Sequence, residues 1–326
     1  MPDRVPNFEV LIDDPTLSSV MGRAVRGPDG THSLANIPPG DYVELAKRIG
    51  QDVVGMCFYD SPFRYLDEGG VARPMSGRVF RSSDLDGVNP RDLGHTEARF
   101  RLLDEYARTV QGSPVGLFAL TGAIFTAAYD SLFGFDRFMY LIHDDLELIE
   151  RALEIDTEFH VAMVERLAQH DLTFLYIGDD VAHKHATLVS PEILRRIWLP
   201  RMSRIMAPAR ERGIPILFHS DGNIMSIIPD LIEIGVAAIN PIEPHGMDIR
   251  EVRKRFGTRL TLVGNLDVGG SLGRGTPAEV ARDARELIDA VGGKGGLVLA
   301  SSHSITKNVM PENSLAMVRT AWESRY

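Results

Sequence analysis

Eight short apolar segments, separated by longer amphipathic stretches, restrict the fold of this sequence more than any other feature. The segments comprise residues 5–11, 52–58, 114–120, 172–178, 214–219, 236–241, 260–265 and 296–300. Segments that are apolar along their whole length are typical of strands buried on both faces, as in parallel sheets. Most of the stretches between them show helical periodicity. This alternation predicts eight β-strands, most of them followed by an α-helix.

Capping signals mark the ends of several predicted helices. Ser190-Pro191 and Thr276-Pro277 each place an N-cap hydroxyl before a proline, which is tolerated in the first helical turn. Glu279 follows Thr276 by three residues, as in a capping box. Glycines at positions 50, 213, 235 and 257 follow helical stretches and end them shortly before the next strand.

We predict that residues 1–326 form one domain, a single (β/α)₈ TIM barrel of the α/β class. An open doubly wound sheet is the main alternative. It normally carries a glycine-rich phosphate loop after its first strand, and no Gly-x-Gly-x-x-Gly pattern follows residues 5–11. Residues 69–95 are polar and weakly periodic, so we expect a loop or β-hairpin excursion over the barrel mouth.

Charge and composition argue against several classes of protein. The chain has 35 Lys and Arg against 45 Asp and Glu, a net charge of −10, which disfavours binding to nucleic acid or to an anionic membrane. The single cysteine, Cys57, cannot form an internal disulfide. Neither a long apolar run nor a signal-peptide pattern is visible. The sequence therefore predicts a cytoplasmic protein with a small-molecule substrate, in which homo-oligomerisation remains open.

Polar side chains follow six of the predicted strands at their carboxyl ends. In a barrel these ends meet at one rim, where the catalytic residues of this fold lie. The candidates are Asp60, Asp180, His219, Asp221, Asn240, Glu243, Asn265, Asp267 and His303. His219 and Asp221 are the sharpest pair, because side chains two residues apart on an extended chain point the same way. Such a pair can ligate a metal, flank a substrate or fix a loop through a hydrogen bond.

The stretch from His219 to Asn223 resembles the superfamily of uroporphyrinogen decarboxylase and the cobalamin-dependent methyltransferases. The resemblance covers nearly the whole chain and is strongest after Gly178. It includes residues 188–192, 261–267, 275–280 and 311–313. Members of this superfamily are (β/α)₈ barrels, in agreement with the strand count.

The decarboxylase branch differs from this chain at one important segment. The decarboxylases carry arginines after the first strand that bind substrate carboxylates, whereas the matching residues 7–12 contain no arginine and include Glu9. A guanidinium group binds a carboxylate through two parallel hydrogen bonds. The absence of arginines from this segment therefore disfavours a tetrapyrrole substrate with many carboxylates. Other positions of this sequence carry the residue types that are expected for the family. Asp60 matches the catalytic aspartate and His303 the substrate-binding histidine, and Tyr129 lies one place from the expected tyrosine.

The methyltransferase branch carries zinc on a His-x-Cys motif and a further cysteine. The matching positions here are His219, Asp221 and His303, so the resemblance implies a zinc site of two imidazoles and one carboxylate. Nitrogen and oxygen ligands of this kind are chemically harder, in the sense of hard and soft metal ligands, than a set that contains thiolates. A related branch passes methyl groups between methylcorrinoid and tetrahydrofolate without a metal. The residues that could hold a pterin here are Asp180, Asp221, Asn240, Asn265 and Asp267.

The resemblance thus implies an enzyme that transfers a methyl group between a small-molecule carrier or donor and a methylcorrinoid on a separate protein. The predicted catalytic residues are Asp60, His219, Asp221 and His303. The predicted substrate-binding residues are Glu9, Tyr129, Asp180, Asn240, Glu243, Asn265 and Asp267. Zinc and tetrahydrofolate are the implied cofactors. Uroporphyrinogen decarboxylation and a non-catalytic binding barrel remain alternatives.

Overall fold

The computed structural model describes residues 3–25, 37–67, 72–293 and 295–325. Within these residues, seven parallel strands form a curved sheet in the order β1-β4-β5-β6-β7-β8-β9. Their bounds are β1 (Val53–Cys57), β4 (Gly116–Thr121), β5 (Phe174–Gly178), β6 (Ile216–His219), β7 (Ala238–Asn240), β8 (Thr261–Leu266) and β9 (Leu297–Ser301). They match seven of the eight predicted strands, and the predicted (β/α)₈ class is confirmed.

The predicted first strand closes the sheet without forming a regular strand. Residues 5–12 make only isolated bridges to the segment around β9. The Phe8 N–H donates to the Leu299 carbonyl (3.3 Å), and on the other side the Asp52 N–H donates to the Asn7 carbonyl (3.1 Å). A side chain replaces part of the backbone hydrogen bonding between strands, because the Asp52 carboxylate accepts a hydrogen bond from the Asn7 N–H (2.7 Å). The segment therefore lies between β9 and β1 as an irregular eighth strand.

Helices cover the outside of the sheet and alternate with its strands. They are α1 (Asp14–Met21), α2 (Pro39–Ile49), α3 (Glu97–Val110), α4 (Ile124–Thr126), α5 (Phe135–Asp144), α6 (Leu146–Leu167), α7 (Pro191–Ile193), α8 (Leu199–Glu211), α9 (Ile228–Glu233), α10 (Ile249–Phe256), α11 (Ser271–Arg274), α12 (Pro277–Val291) and α13 (Pro311–Glu323). Short π-helical segments continue α4 and join α7 to α8. Both predicted N-caps are present, at Ser190 and, as a full capping box, at Thr276 with Glu279.

Aromatic and aliphatic side chains fill the barrel interior. Phe8, from the irregular eighth strand, packs edge-to-face against Phe118, Phe174 and Tyr176, with ring centroids 5.2, 5.3 and 5.9 Å apart. Leu217 and other apolar side chains of the sheet complete this cluster. The interior is thus a packed core below the rim, as expected for this barrel class.

A two-stranded hairpin leaves the barrel after β1. Its strands are β2 (Arg64–Leu66) and β3 (Ala72–Pro74), paired antiparallel. The excursion therefore begins a few residues before the predicted position 69, and residues 68–71 lie outside the described part of the chain. Short 3₁₀ turns at Ser82–Leu85 and Gly94–Thr96 lead on to α3. Among the described helices, none has both the length and the apolar character needed to cross a lipid bilayer.

Candidate functional site

The carboxyl ends of β5 and β6 bring three of the predicted site residues together. Single ligand atoms of Asp180, His219 and Asp221 all lie within 4.8 Å of one another. We call these three residues the mouth cluster. Asp180 comes two residues after β5, His219 ends β6, and Asp221 follows it. The parallel pairing of β5 with β6, in which Gly178 lies opposite His219, accounts for their proximity.

Hydrogen bonds fix the ring of His219 and its tautomer. The Asn240 Nδ2 donates to the Val263 carbonyl (3.2 Å), so Asn240 Oδ1 faces His219. His219 Nδ1 lies 2.8 Å from this oxygen. Because Oδ1 can only accept, Nδ1 carries the proton in the neutral ring. In that tautomer Nε2 carries the lone pair, and it is the nitrogen that points towards Asp180 and Asp221.

Tyr176 gives His219 a second support. Its hydroxyl donates to Asn240 Oδ1 (2.7 Å) and lies 2.9 Å from His219 Nδ1. The tyrosine side chain is fully buried, and burial raises its pKa well above the ordinary value. It therefore remains a neutral hydrogen-bonding group at any physiological pH.

Two carboxylates face the free nitrogen of this imidazole. His219 Nε2 lies 3.6 Å from Asp180 Oδ1 and 3.8 Å from Asp221 Oδ1. Burial raises the pKa of Asp221; Asp180 and Glu243 add to this, whereas His219 and His303 oppose it. Among the described residues, Asp221 Oδ1 is buried and accepts no hydrogen bond. An acceptor of this kind normally has a partner, so this oxygen marks the cluster as a site for a proton donor or a cation.

Local backbone geometry holds Asp221 in place. The Asp221 N–H donates to Asp180 Oδ1 (2.9 Å), which ties the two loops together. The following Gly222 has φ +78°, and a Cβ there would come within 2.6 Å of the His183 backbone. Only glycine fits such a position. Its N–H donates to Glu243 Oε2 (3.3 Å), which brings this predicted residue to the edge of the cluster.

His303 lies beside the cluster and outside its tightest group. Its Nε2 is 3.6 Å from Asp221 Oδ2, and its side chain is 54% exposed. Among the described residues, Asp180, His219 and Asp221 are thus the group whose ligand atoms lie closest together, whereas the set predicted from the sequence was His219, Asp221 and His303. The sequence could not show whether Asp180 or His303 lies closer to His219 and Asp221, because the conformations of the loops after β5 and β9 depend on tertiary packing.

Three other predicted substrate-binding residues have hydrogen-bonding roles in the rim. The buried Asn265 Nδ2 donates to the Ile242 carbonyl (2.8 Å). Asp267 accepts from the Gly269 N–H (2.8 Å) and lies 3.3 Å from His245 Nε2. Asn240 orients His219, as described above. Each of these side chains supports the loops of the mouth.

Asp60 belongs to a second group of residues in the mouth. It accepts a hydrogen bond from Arg99 of α3 (2.9 Å). Burial raises the pKa of Asp60, although Arg99, His95 and Arg64 oppose the shift. Asp60 lines a cavity of about 440 Å³ between the hairpin and the ends of β1 and β4. We call it the hairpin cavity.

Tyr129 and Glu9 belong neither to the mouth cluster nor to the lining of the hairpin cavity, although the Tyr129 hydroxyl is hydrogen-bonded to Thr126 in the cavity wall. Tyr129 packs against Phe125 and Phe135 (ring centroids 5.8 Å apart in each pair), and burial raises its pKa to about 12. The Glu9 carboxylate accepts from the Ser301 N–H (2.6 Å) and hydroxyl (2.7 Å). The neighbouring Phe8 and Val10 face the barrel interior. The alternation of a strand therefore turns Glu9 outward to the helices, away from the mouth where it was predicted.

Sequence reasoning missed the buried pair Asp156 and His160 of α6. His160 lines the hairpin cavity; its Nδ1 lies 3.2 Å from Thr121 Oγ1 and its Nε2 lies 3.6 Å from Asp156 Oδ1. Burial lowers the pKa of His160 to about 4 and raises that of Asp156 well above its usual range. The imidazole of His160 is therefore neutral at physiological pH. The i, i+4 spacing of the two residues on a buried helix face was the available signal.

Comparisons with known proteins agree with this architecture. The family model described as uroporphyrinogen decarboxylase (URO-D) matches residues 69–324. The chain is 28% identical over 173 residues to the methylcobamide:CoM methyltransferase MtaA of Methanosarcina barkeri, covering 53% of this chain and 48% of that protein. It is 26% identical over 238 residues to a uroporphyrinogen decarboxylase of Azoarcus sp. (strain BH72), covering 69% and 63%.

A solved structure supports the fold over its full length. A methyltransferase from Methanosarcina mazei superposes with a TM-score of 0.75 at 20% identity, covering 99% of this chain and 95% of that one. The chain spans only about half the length of the curated methyltransferase that it matches. The family model, in contrast, extends over most of the chain and over seven of the nine strands in the described structure. The chain therefore belongs to the uroporphyrinogen decarboxylase (URO-D) family.

Proposed function

We propose that this protein is a corrinoid-linked methyltransferase that activates a small methyl acceptor at the mouth cluster. The observation that carries the proposal is the placement of His219 Nε2, which faces two carboxylates at 3.6 and 3.8 Å. The curated methyltransferase relatives support methyl transfer as the reaction class. Under this proposal residues 1–326 act as one barrel domain, and the rim receives a separate corrinoid protein.

Proton removal is the step that the mouth cluster is suited to perform. Displacement at a methyl carbon needs a nucleophile with a free electron pair, so an acceptor X–H must lose its proton. As the bond from X to the methyl carbon forms, the bond from the methyl group to the corrinoid breaks, and its electron pair leaves with the corrinoid. His219 Nε2 accepts that proton, and Asp180 and Asp221 stabilise the imidazolium that forms. Asn240 and Tyr176 keep the ring in its reactive orientation. General-base catalysis of this kind typically contributes about 10²- to 10⁴-fold to a rate.

The same residues alternatively fit a divalent cation, and His219 Nε2 would then be a ligand of the ion in place of a proton acceptor. Asp180, His219 and Asp221 offer two carboxylate oxygens and one imidazole nitrogen, and the buried Asp221 Oδ1 has no hydrogen-bond donor among the described residues. Such a set suits zinc or manganese, and His303 lies close enough to Asp221 to assist. A bound cation would supply Lewis acidity that lowers the pKa of a coordinated thiol or water. Tetrahydrofolate is the acceptor for which no metal is needed.

The experiment is an anaerobic assay with methylcobalamin as methyl donor. The acceptors are coenzyme M, small thiols and tetrahydrofolate, each tested with and without added zinc. We expect the visible spectrum to report methylcobalamin consumption with at least one acceptor, and mass spectrometry to find the methylated product. Consumption that never exceeds the protein-free rate with any acceptor contradicts the proposal.

A further inference from the structure

The hairpin cavity lies next to the mouth cluster and has the size of a small-molecule site. Its volume of about 440 Å³ is within the range of ligand pockets. Phe58, Phe63, Met75 and Leu132 line it and are all buried. Walls of this kind favour an apolar body, because its transfer from water to the cavity removes apolar surface from solvent.

The charged groups of the cavity leave one cation without an ion-pair partner. The guanidinium of Arg99 is held by Asp60 at 2.9 Å. Arg64, at the start of β2, also lines the cavity. Among the described residues, no carboxylate forms an ion pair with Arg64, and Asp60 is already occupied by Arg99. Arg64 is therefore available to a ligand.

The floor of the cavity is uncharged. His160 lines it, and burial lowers the pKa of this imidazole to about 4, so the ring is neutral at pH 7. Its two nitrogens face Thr121 and Asp156. The floor therefore offers a neutral aromatic ring. Two charged side chains line the cavity: Asp60, whose carboxylate is paired with Arg99, and Arg64.

We propose that the hairpin cavity binds a small organic monoanion, with its apolar body on Phe58 and Phe63 and its acidic group on Arg64. A planar guanidinium pairs well with a carboxylate or sulfonate. One available arginine matches one acidic group, and it does not match a tetrapyrrole with many carboxylates.

Thr126 connects this cavity to the mouth cluster. It lines the cavity, and its Oγ1 accepts a hydrogen bond from the Asp180 N–H (2.8 Å). A ligand held at Arg64 can thus extend past Thr126 towards Asp180. The inference rests on the proposed function only in taking this ligand as the small-molecule substrate; its test measures binding and requires no methyl transfer.

The test compares two probes of the same shape and different charge, 4-methylbenzoate and 4-methylbenzamide. Isothermal titration calorimetry measures their Kd for wild type, Arg64→Gln and the control Arg73→Gln. Arg73 lies on the neighbouring strand β3, where it pairs with Asp67 (2.9 Å) and does not line the cavity. We expect wild type to bind the benzoate at least tenfold more tightly than the benzamide, as a charge-assisted hydrogen bond provides.

Arg64→Gln should abolish this preference, and Arg73→Gln should keep it. Ala127→Phe places a ring in the cavity and should remove the binding of both probes. Any of four results would overturn the inference. Wild type could bind the two probes equally, bind the benzamide more tightly, or bind neither probe, or the preference for the benzoate could survive Arg64→Gln. Probe binding in a protein without methylcobalamin activity would contradict the proposed function and leave this site standing.

Discussion

The buried carboxyl of Glu9 should make the stability of the fold depend strongly on pH. Glu9 is fully buried between the barrel and its helices, and burial raises its pKa from 4.5 to about 8, although hydrogen bonds from Ser301 oppose the shift. Between these pH values the group stays protonated in the folded chain and ionises on unfolding. Unfolding then releases a proton, so the free energy of unfolding falls as the pH rises from 4.5 to 8.

The magnitude follows from the size of the shift. Each pH unit in this window costs about 1.4 kcal/mol, so the whole window costs of the order of 5 kcal/mol. The variant Glu9→Gln has no ionisable group at this position and lacks this cost. Its stability relative to wild type should therefore increase by about 1.4 kcal/mol per pH unit and level off above pH 8.

Urea denaturation followed by circular dichroism, between pH 5 and 9, measures this difference. The titrations of Asp156 and Asp179 occur in both proteins and cancel in the comparison. Glu105→Gln, an exposed substitution in α3, is the control and should show a constant difference from wild type. A constant difference for Glu9→Gln as well would refute the reasoning, because Glu9 would then ionise as freely in the folded chain as in the unfolded one.

The remaining predictions concern the core, the mouth cluster and the substrate. Phe8→Ala removes the ring that packs on Phe118, Phe174 and Tyr176 and should lower the free energy of unfolding by roughly 3–5 kcal/mol in urea. In zinc titrations by calorimetry, Asp180→Ala and His219→Ala should each lose most of the affinity, and the double variant little more, whereas His303→Ala should keep most of it. Anaerobic incubation with uroporphyrinogen should give no coproporphyrinogen above the protein-free rate, as chromatography of the products can show.

The barrel could be predicted because its signals are local. Apolar segments located the seven regular strands to within a few residues, and the helix that begins after Thr276 carries its capping box in four consecutive residues. The irregular pairing of residues 5–12, which include the predicted first strand, could not be predicted. It depends on the Asn7 and Asp52 side chains and on Pro6, which has no N–H to donate.

For the candidate site, the sequence predicts correctly those residues whose position follows from the end of a strand. The ends of β5 and β6 place Asp180, His219 and Asp221 on the rim. The position of Glu9 could have been read from the alternation of Phe8 and Val10, which face the interior. The support of His219 by Tyr176 depends on contacts between separate strands, which no local pattern encodes.

The most direct test of the account is the rate of methylcobalamin demethylation in His219→Gln. The assay is anaerobic, with the acceptor that gives wild type its highest rate, and His183→Gln is the control because His183 is exposed on the loop after β5. If His219 Nε2 activates the acceptor, His219→Gln should lose about a hundredfold or more in rate while binding the acceptor nearly as well. A His219→Gln protein that keeps the wild-type rate would contradict the central claim that the mouth cluster performs the chemistry.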